Sequence, residues 1–259
     1  MIPNRTLVAA ACLAALPLCV GAEEAPDATP EVLIDRTTER VLLDACAYLR
    51  SADRFSVTVE IDFDEVLTSG QKVQYSREAV VTLERPNRLR AESESDRGAR
   101  ELVYDGKAVT VFRPDSGVYA VVPAPETIDA LLDVLEDKGL VLPLDDLLRT
   151  HPCAGIAEHL KTGTYAGRHW VSGGWHHHLL LTTDAVDVQM WVALGDEPEI
   201  RKVVITYRDA PGMPQYRALL TGWDFAPEID GASFTFTPPE GAKQVSFRGA
   251  SEPTGGSEQ

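Results

Sequence analysis

Along residues 55–64 apolar and polar side chains alternate one for one. Phe55, Val57, Val59, Ile61 and Phe63 fall on one side, and Ser56, Thr58, Glu60, Asp62 and Asp64 on the other. A period of two describes a strand with one buried and one wet face. Beyond Ser69-Gly70 the apolar set continues through Val73, Tyr75, Ala79, Val81 and Leu83, with a slip predicted near Arg77. After Pro86-Asn87, Leu89 and Ala91 begin a third strand. The polar run from Glu92 to Asp96 predicts that it fades into an exposed edge or loop. Three short strands follow in ELVYDGKAVTVFRPDSGVYAVVP, separated by Asp105-Gly106 and by Pro114 to Gly117. Turns this short make the strands antiparallel, because a parallel crossover needs a dozen residues or more.

Two stretches change to the helical period. In residues 32–52, Leu33, Val41, Leu42, Ala45, Cys46 and Leu49 share one face. In residues 123–152, Ile128, Leu131, Leu132 and Leu135 form an apolar stripe, with Pro125 suited to a first turn and Gly139 to the end. Pro143 then opens a second short helix whose apolar side is Leu144, Leu147 and Leu148. One or two helical turns at 154–160 complete the insertion. Strands resume at 164–172, 175–183, 186–194, 200–208 and 216–225, and FTFTPPEGAKQVSF is the last element. About eleven strands and one helical insertion predict an α+β fold. It is an incomplete antiparallel β-barrel, or strongly curved sheet, whose concave face is covered by helices, the lid spanning 123–160.

The opening MIPNRTLVAAACLAALPLCVGA reads as a cleavable signal peptide, cut after Ala22, which directs the chain to the periplasm. Residues 23–31 then form a flexible leader, 32–248 a single domain and 249–259 a disordered tail. Nothing after the leader is apolar enough to span a bilayer. The net charge is -16, and losing Arg5 with the signal makes it one unit more negative. That balance argues against nucleic acid and anionic membranes as partners. The sequence does not specify an oligomeric state. Cys12 and Cys19 leave with the signal, so Cys46 and Cys153 remain, either as one disulfide or as two separate buried thiols.

Candidate chemistry is sparse. His176 and His178 alternate to one face of a strand and His177 to the other, with His169 nearby. No third ligand stands at a metal-binding spacing, so the run reads as a polar strand near a turn, with no metal. Glu60, Asp62 and Asp64 read as a solvated rim. The chain has no G-x-S-x-G elbow, phosphate loop or H-E-x-x-H helix, and so no catalytic residues or cofactor are assigned. The aromatics spread over the strands either fill a core or line an apolar cavity.

Three stretches carry a family resemblance: YDGKAVTVFRPDSGVYAVVPAPETIDALLDVL, VVITYRDAPGMPQY and TGWDFAPEIDGASFTFTPPEGAKQVSF. With the opening ACAYLRSADRFSVTVEIDFDEVLTSGQKVQYS, they resemble the predicted periplasmic family called domain of unknown function 2092 (DUF2092), over residues 32–247. That family is similar in pattern to the superfamily of the lipoprotein carriers LolA and LolB and of the N-terminal domain of RseB. The resemblance implies a LolA-like half-barrel whose concave face can receive acyl chains beneath helices. The expected function is non-enzymatic binding or carriage of a lipid, a lipoprotein acyl chain or another hydrophobic ligand. On the alternation above, Val57, Val59 and Ile61 from the sheet and Leu131, Leu132 and Leu135 from the lid would line its site. The same residues could simply pack as a core. The alternative function is an envelope sensor or scaffold that binds another protein and carries no lipid.

Overall fold

A computed structural model describes residues 33–137 and 144–246. The signal peptide, leader and tail expected from the sequence, with Gly139 and Pro143, lie outside the described residues. A two-residue strand, β1 (Leu33–Ile34), precedes helix α1 (Arg36–Arg50). The helix starts later than its periodicity suggests because Asp35 caps it, accepting from the backbone N–H of Thr38 at 2.8 Å and its hydroxyl at 2.9 Å. Leu33, expected on the helix face, is exposed and pairs in a parallel ladder instead.

The first meander runs β2 (Arg54–Val66), β3 (Lys72–Glu84), β4 (Arg88–Ser95), β5 (Arg100–Tyr104), β6 (Ala108–Arg113) and β7 (Val118–Pro123). Helix α2 (Ile128–Asp137), a 3-10 turn (Asp145–Leu147) and helix α3 (Ala154–His159) follow. The second meander is β8 (Thr162–Val171), β9 (Gly174–Thr182), β10 (Val186–Ala193), β11 (Ile200–Tyr207) and β12 (Gln215–Asp224), and β13 (Lys243–Gln244) ends the set. The thirteen strands of the described residues join one sheet in the order β1-β8-β9-β10-β11-β12-β2-β3-β4-β5-β6-β7-β13. The sheet is curved and unclosed: β1 and β13 are its two edges. The eleven strands from β2 to β12 pair antiparallel. The two beyond the expected eleven, β1 and β13, are two-residue parallel ladders, too short to show alternation.

Pairing of β12 with β2 places the strongest amphipathic strand mid-sheet, between the two meanders. Its apolar side and the matching positions of β3 and β8–β12 form one concave core with α1 and α2. Phe55, Leu83, Tyr104 and Leu179 are all at 0% exposure. Gly163 lies where β8 passes α1, and a Cβ there would meet Ile34 at 2.9 Å and Thr38 at 3.0 Å.

Four local expectations change. The slip near Arg77 is absent, since β2 and β3 pair without interruption from Arg54–Glu84 to Val66–Lys72. The polar end of β4 is not an edge, because Ser93 and Ser95 pair with β3 on one side and Ser93 with β5 on the other. Backbone pairing there continues without apolar side chains to announce it. The second lid helix is only the 3-10 turn at Asp145–Leu147, preceded by Leu144 in a left-handed conformation. The last expected element is mostly a strap across the convex face. Phe234 is buried, and Phe236 packs on Phe112 and Tyr119 with ring centroids 5.4 Å and 5.3 Å away.

Candidate functional site

The strand alternation that buries Phe55 also points Val57, Val59 and Ile61 into the concavity. There they line an apolar cavity of about 120 Å³. Phe55 and Trp223 flank it, Tyr216 also lines it, and Leu144, Leu147 and Leu148 form its roof. Trp223 directs its indole N–H away, to the carbonyl of Ile200 at 3.0 Å. Burial pushes the Tyr216 phenol far above its ordinary value, so it stays neutral at physiological pH.

The six residues expected to line a site therefore divide. Val57, Val59 and Ile61 line the cavity. Leu131 and Leu132 are buried in the core, and Leu135 is half-buried against it; none of the three reaches the cavity. The cause is where α2 is tied. The Ile128 N–H donates to the carbonyl of Pro86 at 2.8 Å, the Tyr104 hydroxyl donates to the carbonyl of Pro125, and Asp129 accepts from the Thr150 N–H at 2.8 Å. These bonds seat α2 over the β3–β4 turn and leave the roof to the turn that follows it. The roofing leucines were legible as apolar positions, but not as the ones over the cavity.

Two arginines clamp this covered end. Arg85 donates to the carbonyl of Ala52 at 2.6 Å and twice to that of Arg149, at 3.0 Å and 3.3 Å, with its guanidinium 5.6 Å from the centre of the Phe55 ring. Arg149 reaches Asp133 at 2.6 Å, Asp145 at 3.4 Å and Glu136 at 3.7 Å. Burial raises the Asp145 carboxyl above its ordinary value, and the Arg149 charge only partly offsets it. Asp146 accepts from the backbone N–H groups of Gly155 and Ile156, at 3.3 Å and 3.0 Å. A disulfide then joins Cys46 of α1 to Cys153 at the start of α3, with Cα atoms 6.0 Å apart.

The histidines lie elsewhere. His178 stacks on Trp191 at 4.0 Å, approaches His169 with Nδ1 atoms 2.6 Å apart, and reaches Gln189 Oε1 at 3.2 Å. His177, on the opposite face, meets the Tyr165 hydroxyl at 2.9 Å. Burial lowers all three of His176, His177 and His178, which favours the neutral rings. His176 and His178 are buried on the strand that follows the turn. Among the described residues no group of three or more ligating side chains could hold a metal ion. Asp64 also departs from the solvated rim. Its side chain is 6% exposed and accepts from the Gln215 N–H at 3.1 Å, because β12 lies beside it.

An open, curved antiparallel sheet with a covered apolar concavity is a half-barrel, the fold class expected from the alternation of the strands. The chain itself is a member of the DUF2092 family of predicted periplasmic proteins, whose model matches residues 38–248. No curated protein matches it. Among solved structures it is similar to lipoprotein LppX of Mycobacterium tuberculosis, with 10% identity and a TM-score of 0.52, covering 76% of this chain and 100% of that one. It is also similar to a LolA superfamily protein of Nitrosomonas europaea, with 11% identity, a TM-score of 0.38 and coverage of 77% and 97%. The MucA/MucB complex of Pseudomonas aeruginosa gives 14% identity, a TM-score of 0.42 and coverage of 78% and 61%. Among the described residues no helix is long and apolar enough to cross a membrane.

Proposed function

We propose that the protein is a periplasmic binding or carrier protein for a hydrophobic ligand, held between the concave sheet face and its cover. The observation that carries this reading is the apolar cavity between Val57, Val59 and Ile61 below and Leu144, Leu147 and Leu148 above. Its volume of about 120 Å³ is near the roughly 150 Å³ of dry apolar cavities that accept a benzene-sized guest. A longer acyl chain needs the roof to move. Displacing buried Leu147 costs about 2–3 kcal/mol, while burying about eight methylenes returns about 6 kcal/mol, so the exchange favours the ligand. Tyr216 supplies the only hydroxyl among the described lining residues, and with it neutral the site suits binding rather than catalysis.

Native mass spectrometry of protein purified from a bacterial periplasm tests the proposal, together with uptake of a fluorescent fatty acid. A bound lipid mass and saturable uptake are expected, and bare protein without uptake would refute it. One observation favours the sensor or scaffold reading: Trp170 and Trp175 are 60% and 57% exposed and packed edge to face at 5.6 Å. Exposed aromatic pairs suit protein docking. Lipid-free capture of a specific envelope protein, lost in a W170S/W175S variant, would favour that reading over carriage.

A further inference from the structure

The concave face changes character along its strands. At one end it is apolar and covered. Toward the other, cross-strand register gathers three arginines. Arg77 stands directly opposite Ile61, which lines the cavity, and directly opposite Ser95 on its other side. Residues directly opposite in a ladder share a face. Ala79 pairs with Ser93, and Ser93 with Arg100, so Arg100 shares that face too. Arg113 follows by two residues from the Leu102–Val111 pair, on the side where Arg100 lies. Arg77 is half-buried, and Arg100 and Arg113 are exposed. The three are near enough that partial desolvation of Arg100 against the sheet, with the charges of Arg77 and Arg113, depresses its pKa.

Among the described residues, none of these three arginines has a carboxylate within 4.0 Å, although the chain carries 40 acids against 24 bases. The acids are close by on the wrong face. Glu78, Glu92, Glu94 and Glu101 alternate with the concave positions of the same strands. Arg90, which shares the convex side with them, is neutralised by Glu92 at 2.9 Å and Glu101 at 2.8 Å. Arg217 on that side likewise lies 3.9 Å from Asp64. Grouping three like charges without a counter-charge is unfavourable unless an anion fills the group. Guanidinium forks suit a planar carboxylate or a phosphate.

Building on the carrier reading, we propose that Arg77, Arg100 and Arg113 form a shelf for the anionic head of an amphiphile, a carboxylate or phosphate, whose tail enters the cavity beside Ile61. The ligand class is thereby narrowed from any hydrophobic molecule to a single-headed anionic lipid. Ser93 and Ser95 lie beside the arginines and add no negative charge, their hydroxyls donating to the carbonyls of Arg100 and Gly98. The acidic convex face keeps anionic bilayers off the rest of the surface, so the amphiphile is taken as a molecule and not as a membrane.

The test compares lauric acid, lauryl alcohol and inorganic phosphate on the full mature chain at low salt, by calorimetry. The proteins are wild type, the R77Q/R100Q/R113Q variant and R88Q as a control for loss of an arginine outside the shelf, with circular dichroism to verify folding. Should the triple variant fail to fold, R100Q/R113Q replaces it, because both residues are exposed. Wild type and R88Q should bind the acid at least tenfold more tightly than the alcohol. The arginine variant should lose that preference while still binding the alcohol. Equal wild-type affinity for acid and alcohol would overturn the shelf and leave the carrier reading standing. Phosphate binding that needs the arginines, with neither amphiphile bound, would mark a free-anion site and overturn the amphiphile proposal together with the carrier reading. No binding of any probe would overturn both as well.

Discussion

The two ends of the concave face are built on the same strands and use the same residue type differently. At the covered end, Arg85 and Arg149 are consumed by structure: carbonyls of Ala52 and Arg149 take one, and carboxylates of the lid take the other. At the open end, Arg77, Arg100 and Arg113 have no such partners among the described residues and face the concavity. One end is closed by bonds within the chain, and the other has bonding capacity left over. Under the proposed reading, a concavity with one satisfied and one unsatisfied end would orient a long ligand, tail toward Phe55 and head toward Arg100.

The largest break in this comparison is expected from the aromatic at each end of β2. Phe55 is at 0% exposure, so Phe55→Ala should cost about 3–5 kcal/mol in urea unfolding. Phe63, half-buried at the open end, should cost about 1 kcal/mol on the same change. Equal costs would mean that the open end is as closely packed as the covered one. Next comes the disulfide, which closes 107 residues between α1 and α3. Cys46→Ser with Cys153→Ser should lose about 2–4 kcal/mol and speed exchange of a bound fluorescent fatty acid, read by stopped flow. Unchanged exchange would mean that the tether does not limit motion of the roof. The arginines follow. Arg149→Met should destabilise by about 1.5–3 kcal/mol, since it strips charged hydrogen bonds from the lid. Arg100→Gln should change stability by less than about 0.5 kcal/mol, or raise it, as a repelling charge is removed. A clear loss on Arg100→Gln would show that the open end holds the fold together and is not reserved for a ligand.

Much of this contrast was legible in the sequence, though unevenly. Alternation through Phe55 to Phe63 showed the strand, its buried side and the three residues on the cavity floor. The stripe of Ile128, Leu131 and Leu132 showed a buried helix, but burial is a one-residue property and location is not. Which leucines roof the cavity depends on bonds from α2 and its flanks to Pro86 and Tyr104, outside the helix. The arginine group was wholly hidden. Positions 77, 100 and 113 have no common period, and they meet only through the register of four successive strands. The polar run after Ala91 looked like a fading edge because apolar alternation stops there. It stops because the concave face itself becomes polar, and the same feature marks the proposed head site.

The smallest expected effect concerns acid at the covered end. Burial is the main force on Asp145, and it raises the carboxyl above its unfolded value against the pull of Arg149. A carboxyl whose folded pKa is raised binds more protons folded than unfolded between the two values, so its contribution to stability grows as pH falls through that window. Above the window Asp145 is a charged group held in a half-buried place, and Arg149 compensates only in part. Lowering the pH from neutral toward the ordinary carboxylate range should therefore cost wild type less stability than it costs Asp145→Asn, which has lost the titrating group. Shelf variants such as Arg100→Gln should follow wild type, because they keep Asp145. The check is the difference in unfolding free energy between each pair of proteins across that pH range. A steeper fall with acid in wild type than in Asp145→Asn would mean that the Arg149 pair outweighs burial, and that the lid is held by its charges more than by Leu147 and its apolar neighbours.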